Sequence, residues 1–208
     1  FIENFEAFKD LPLPLQEYLK NNSKNLKERA AYQRGNCEWW KYTWPLHKEY
    51  YSRKKILCPY MAKENRFAID EEDKFLGLTD TTVLFDNGQP ESLYYIIGLL
   101  NSNLLTYRFR FMSKLKSGGI YEYFWNNISK LPIKRIDFTN QNENKLYETI
   151  EINVKKIMQL IEKARTIKLE SDKKIYQGMI KKCEEVINES VYKLYKITET
   201  EVYVIENR

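Results

Sequence analysis

The residues best suited to bind something are Lys114-Leu115-Lys116-Ser117-Gly118-Gly119, followed by Tyr121. Two adjacent glycines allow left-handed backbone and close approach of main-chain amides to a ligand. Arg108, Arg110, Lys114 and Lys116 flank them, so the ligand is anionic, and the Gly118-Gly119 amides suit a phosphate oxygen. A second stretch runs from Arg34 to Pro45, where Arg34, Asn36 and Lys41 are interleaved with Trp39, Trp40 and Trp44. Its functional reading is a loop wedged in place by its aromatics, with the polar groups facing a ligand. A third set, Lys48, Arg53, Lys63 and Arg66, falls near the tips of strands and loops. Each taken alone reads as a solvated surface charge. Gathered on one side of a sheet, they would hold phosphates.

Signatures of covalent chemistry are missing. The chain has no Asn-Pro-Pro-aromatic or Asp-Pro-Pro-Tyr sequence, as amino-methyltransferases use to hold an extruded base, and no GxGxxG or Walker loop. Asp70, Glu71, Glu72 and Asp73 form an acidic run that reads as an exposed turn and matches no metal loop. His47 is the only histidine, and Cys37, Cys58 and Cys183 form no CxxC pair, which argues against structural zinc and histidine catalysis. We expect no catalytic residue and no metal site in this chain.

Stepping from residues to their scaffold, 208 residues at 43% hydrophobic content suffice for one domain with an appendage, or for two small domains. The net charge of +5 does not by itself indicate nucleic acid. Its distribution is more informative. Residues 20–66 carry twelve Lys/Arg against four acids, residues 67–91 one against seven, and residues 105–136 seven against one. Two basic blocks separated by an acidic one give a polar face if the basic blocks meet in space. Three cysteines, odd in number and widely spaced, suit a reducing cytoplasm, and no apolar run is long enough for a membrane span. The chain begins at Phe1 rather than Met, and we expect it to be a piece of a longer protein.

Apolar spacing predicts a helix from Pro14 to about Ala31, strands at Lys54–Pro59, Arg66–Asp70 and Thr81–Phe85, and one long helix from Leu93 to Phe111 capped by Ser92. An aromatic strand, Ile120–Trp125, and a Leu-Pro-Ile exit follow. Beyond the polar linker Thr139–Asn144, two long amphipathic helices are expected, with a reversal near Glu170-Ser171-Asp172. They would pack on each other, or else continue as a single helix into a dimer. Thr198-Glu199-Thr200-Glu201 has capping-box spacing and starts a last short helix. The fold class expected is α+β: a small mixed β-sheet with packed helices over residues 1–138, then an α-helical hairpin and terminal helix over 139–208.

Taken in order, Arg34 to Trp40, Lys55-Ile-Leu-x-Pro59, Arg66-Phe-Ala-Ile-Asp70, Thr82 to Phe85, Ser92 to Ser102, Gly118-Gly-x-Tyr121 and Leu131-Pro-Ile133 resemble the TaqI-like C-terminal specificity domain. That domain follows the N6-adenine methyltransferase domain in type II restriction–modification enzymes, including those fused to a nuclease. The plan is also similar to the target-recognition halves of type I specificity subunits. Cys58 stands where an aromatic is common, and Lys134 where a second proline is common.

The resemblance implies a bacterial-defence module that binds double-stranded DNA, reading base edges while basic residues hold phosphates. It implies a methyltransferase domain of the same parent chain as partner. That domain would use S-adenosylmethionine, with Mg only if a nuclease is fused. By motif position, Arg34, Gly118, Gly119 and Tyr121 are expected near DNA. Charge and loop placement add Asn36, Lys41, Arg53, Lys63, Arg66, Lys114, Lys116 and Ser117. Alternatives are a type I-like specificity subunit, a protein-interaction module self-associating through the C-terminal helices, and an RNA binder using its aromatics as stacking platforms.

Overall fold

A computed structural model describes residues 2–44, 53–72, 74, 75, 77 and 81–207, with only the backbone of Glu3. His47, Lys48 and Asp73 lie outside the described residues. The chain divides into two compact units, Phe1–Ser52 and Arg53–Arg208.

In the first unit, short 3-10 turns lead to α1 (Leu13–Asn21), α2 (Ser23–Lys27) and α3 (Ala30–Gln33). Pro14 occupies the first turn of α1, where its missing N–H costs nothing. The single helix expected here is three. Asn22 ends α1 because its side chain bonds back to Tyr18 O at 2.8 Å. Leu11, Leu19 and Trp40 form the buried core, with Phe5, Phe8, Leu15, Leu26 and Trp39 packed against it.

The second unit holds β1 (Lys55–Pro59), β2 (Met61–Ala62), β3 (Ala68–Asp70), β4 (Thr81–Phe85), β5 (Leu115–Lys116) and β6 (Ile120–Glu122). These make two three-stranded sheets, ordered β3-β1-β4 and β2-β6-β5. All described pairs are antiparallel, where a single mixed sheet was expected. The α+β class and the helical C-terminal region are as expected.

The long helix predicted from Leu93 to Phe111 is broken into α4 (Leu93–Leu100) and α5 (Asn103–Met112). Ser102 caps the second piece by accepting from Leu105 N at 3.3 Å. Asn101 is diverted to the backbone of Phe67, accepting from its N at 2.8 Å and donating to its O at 2.9 Å. Such bonding competes with helix continuation, and here it ties the helix break to the segment just before β3.

α7 (Gln141–Thr166) and α8 (Glu170–Leu194) form the hairpin, reversing over 167–169, after the single turn α6 (Trp125–Ile128). The hairpin is folded back on itself and is not one continuous helix. Ile150, Val154, Ile187, Val191 and Leu194 share one core with Ile56, Tyr95, Leu99, Phe109 and Tyr123. Packing is therefore continuous across the 138/139 boundary expected between domains. Gly98 makes this possible: a Cβ there would stand 2.4 Å from Ile150 Cγ2. α9 (Glu199–Glu206) opens with the expected capping box, Thr198 to Glu201. Among the described residues no helix is long and apolar enough to cross a membrane.

Among the described residues the Leu-Pro-Ile exit joins no strand, and side chains bond its backbone instead. The Tyr195 hydroxyl donates to Pro132 O and accepts from Lys134 N at 3.0 Å. The Tyr95 hydroxyl donates to Lys134 O at 2.8 Å. Buried Glu91 accepts from Ile136 N at 3.0 Å and Arg135 Nε at 2.9 Å. Burial alone would raise the Glu91 carboxyl; Arg135 and the Ile136 amide outweigh it and hold it below the usual range.

Candidate nucleic-acid interface

The paired glycines sit in a three-residue loop, Ser117-Gly118-Gly119, closed by the pairing of Lys116 with Ile120 and Leu115 with Tyr121. Gly118 and Gly119 have φ of +77° and +73°, which a Cβ would strain. Among the described residues, chain neighbours aside, nothing lies within 4 Å of either hypothetical Cβ. The glycines are thus required by the turn, not by a neighbouring chain, and the space above them is open.

Register brings Lys63 to the loop end beside Lys116. β2 pairs Met61 with Glu122 and Ala62 with Tyr121, so Lys63 follows β2 at the loop end of β6, where Lys116 lies. Side chains alternate along a strand. Ile120 and Glu122 share one face with their cross-strand neighbours Lys116 and Met61, while Tyr121, Leu115 and Ala62 share the other. Tyr121 and Ala62 pack against the core, so the Lys116 face points outward. Lys63, Lys114, Ser117, Gly118 and Gly119 are exposed, and Lys116 is half-buried.

Glu122 is the one acid within residues 105–136, and it is occupied. It accepts from the Tyr60 hydroxyl and pairs with Lys116 Nζ at 3.5 Å. These contacts, Tyr60 first, lower its carboxyl from the usual range, and Glu122 raises the Tyr60 phenol in return. The carboxylate orients Lys116 and also feels the charge of Lys114, which stands across from it where Glu122 N bonds Lys114 O at 3.2 Å. Tyr60 and Glu122 are positioning residues that the sequence reading did not single out. Their signal was the period-2 alternation of Ile120-Tyr121-Glu122-Tyr123. The strand ends at Glu122, and Trp125 starts α6 instead of extending the strand as expected.

Other expected site residues go elsewhere. Arg53 lies two residues before β1, whose five residues run away from it toward β2; at 3.3 Å per residue it stands about 20 Å from the β1–β2 junction. Its guanidinium donates to Asp86 O at 2.6 Å and lies over the Phe85 ring at 5.7 Å. Arg66 is exposed and reaches Glu64 at 3.4 Å. It lines a cleft of about 1430 Å³ bounded by the 64–69 segment, α4, α5 and the hairpin, which carries Glu64, Glu162, Glu184 and Glu185 beside its cations. That mixed charge does not suit a phosphate track.

Arg34, Asn36 and Lys41 belong to the first unit. Arg34-Gly35-Asn36 ends α3 in a Schellman motif: Gly35 N bonds Tyr32 O and Asn36 N bonds Ala31 O, both at 2.9 Å, with Gly35 at φ +71°. Arg34 and Asn36 are exposed. Lys41 lies over the Trp40 ring at 5.1 Å. The residue that fixes the Trp loop is Arg29, donating to Trp39 O at 2.8 Å and Lys41 O at 2.9 Å. Trp40 is buried, while Trp44 is exposed.

Among the described residues no group of three metal-ligating side chains is present. Burial pushes the Cys58 thiol up to about 12, which makes it a poor nucleophile.

The model of the TaqI-like C-terminal specificity domain matches residues 9–133. The type II methyltransferase M.HindII of Haemophilus influenzae is 28% identical over 149 residues, covering 68% of this chain and 28% of that protein. The chain thus spans less than a third of the length of that relative.

Proposed function

The chain belongs to the TaqI-like C-terminal specificity domain family, and from that membership we propose that it binds double-stranded DNA as the target-recognition part of a type II N6-adenine methyltransferase. The observation that carries this reading is the loop end of the β2-β6-β5 sheet. Lys63 and Lys116 lie there beside open glycine backbone, Lys114 is exposed two residues before Lys116 and across from Glu122, and that acid is engaged by Tyr60 and Lys116.

In this reading the lysines hold phosphates and fix the register of the domain on the duplex. Side chains of the first unit, Arg34 and Asn36, add contacts from their exposed loop; Arg suits guanine and Asn suits adenine. A methyltransferase domain of the parent protein performs the transfer. Gly118-Gly119 lies in an antiparallel hairpin, not in a strand-to-helix turn, so the residues here do not fit S-adenosylmethionine. The donor belongs to the partner domain, and no step is assigned to it in this chain.

Titrating the chain with duplex DNA at rising salt tests the proposal. Three lysine–phosphate contacts give a slope of log K against log salt of about −3 or steeper. Duplex should out-compete fully single-stranded DNA and RNA of the same length. Salt-independent binding, or preference for a single strand, would remove the reading.

A further inference from the structure

One exposed feature beside the lysines is aromatic. Trp125 is 64% exposed and Phe124 42% exposed, on a segment whose neighbours Tyr123 and Ile128 are buried. A run of contacts links this pair to the basic loop. Lys116 reaches Glu122, Glu122 accepts from Tyr60, the Tyr60 ring lies edge-on to Phe124 at 6.3 Å, and Phe124 meets Trp125 at 6.0 Å. Phe124 itself keeps extended backbone, φ −83° and ψ 145°, two residues beyond the outward-facing Glu122. The base of the platform is rigid. Tyr123 N bonds Tyr60 O at 2.7 Å, Thr82 Oγ1 bonds Tyr123 O at 2.6 Å, and the Tyr123 ring stacks on Phe109 at 4.3 Å.

An exposed indole on a rigid base, continuous with a lysine cluster, matches the chemistry of a nucleobase face next to a phosphate. We infer that Phe124 and Trp125 form a stacking platform for a nucleobase that has left the helical stack, while Lys116 holds the adjoining backbone. This rests on the duplex-binding reading and adds to it a contact that is insensitive to salt. Aromatic stacking on one base changes affinity on the order of tenfold to a hundredfold. Lysine contacts act through released counterions and change the salt slope. The two contributions are therefore separable.

The test compares a fully paired duplex with the same duplex carrying one unpaired adenine. The wild-type chain should bind the bulged duplex about tenfold more tightly. Trp125→Ala should abolish that preference with the salt slope unchanged, and Trp125→Phe should keep most of it. Lys116→Ala should weaken both duplexes alike. Trp125 is exposed, so thermal melting of the alanine variant should match wild type. If Trp125→Ala retains the bulge preference while Lys116→Ala weakens both duplexes, the platform is refuted and the duplex reading survives. If Trp125→Ala instead impairs only association with the methyltransferase domain, the surface is a protein contact and the inference is refuted. If the wild type binds no duplex in a salt-dependent way, both readings fail together.

Discussion

Lys55→Ala should destabilise the second unit by about 3–5 kcal/mol, a large part of the stability of a domain this size. Lys55 and Asp70 are directly opposite on β1 and β3, with Nζ 2.8 Å from Oδ2, and both side chains are almost wholly buried. Asp70 also accepts from the amides of Phe75 at 2.9 Å and Lys74 at 3.1 Å. Removing the ammonium leaves a carboxylate in the interior with only amide donors, which is the costly half of breaking a buried pair. Urea unfolding should show a lower midpoint at unchanged slope. Replacing both partners together, as Lys55→Met with Asp70→Leu, should recover most of the loss, because an apolar pair leaves no buried charge. Burial by itself would raise the Asp70 carboxyl, but the Lys55 hydrogen bond and the two amides outweigh it and lower its pKa. A depressed carboxyl contributes stability above its unfolded value of about 3.9. That contribution is lost as pH falls through the folded value. Acid should therefore narrow the gap between wild type and Lys55→Ala.

The second large effect is on binding. Lys114→Ala with Lys116→Ala should weaken binding to every duplex sequence, on the order of tenfold to a hundredfold near physiological salt, and flatten the salt slope by about 2. The uniformity matters: loss of a base reader would cost about 1–3 kcal/mol on the cognate site alone. Neither lysine is part of the hydrophobic core, so stability should be little changed. Glu122→Gln provides a variant of opposite sign. It removes the one acid of the segment and releases Lys116, so duplex binding should tighten. Filter binding or fluorescence anisotropy across a salt series reads both variants.

Much of this arrangement was legible in the residues. The strands at Lys55–Pro59 and Thr81–Phe85 carry short apolar runs closed by proline or turn residues, and both formed as expected. The hairpin reversal and the Thr198 capping box are equally local signals. The helix break was not seen because apolar spacing carries through Leu100, Leu104 and Leu105, while the force that breaks it is Asn101 bonding to Phe67, 34 positions away. Asn101-Ser102-Asn103 did hold a capping signal that the periodicity masked.

The site divides in the same way. Lys114, Lys116 and the glycines are adjacent in sequence and had to be close. Lys63 joins them only through the β2–β6 register, and Glu122 meets Tyr60 across 62 residues. Counting charges could not say that Arg53 would be engaged by Asp86 O, or Arg66 by Glu64. Tyr121 was expected near DNA from its motif position; it is partly buried and packs against the core on the face opposite Glu122.

The most direct test is hydrogen–deuterium exchange of the chain with and without duplex DNA. Amides from Leu115 to Tyr121 should gain protection when duplex is added, and lose that gain at high salt. Protection confined to the hairpin, 141–194, with 115–121 unchanged, would contradict the account.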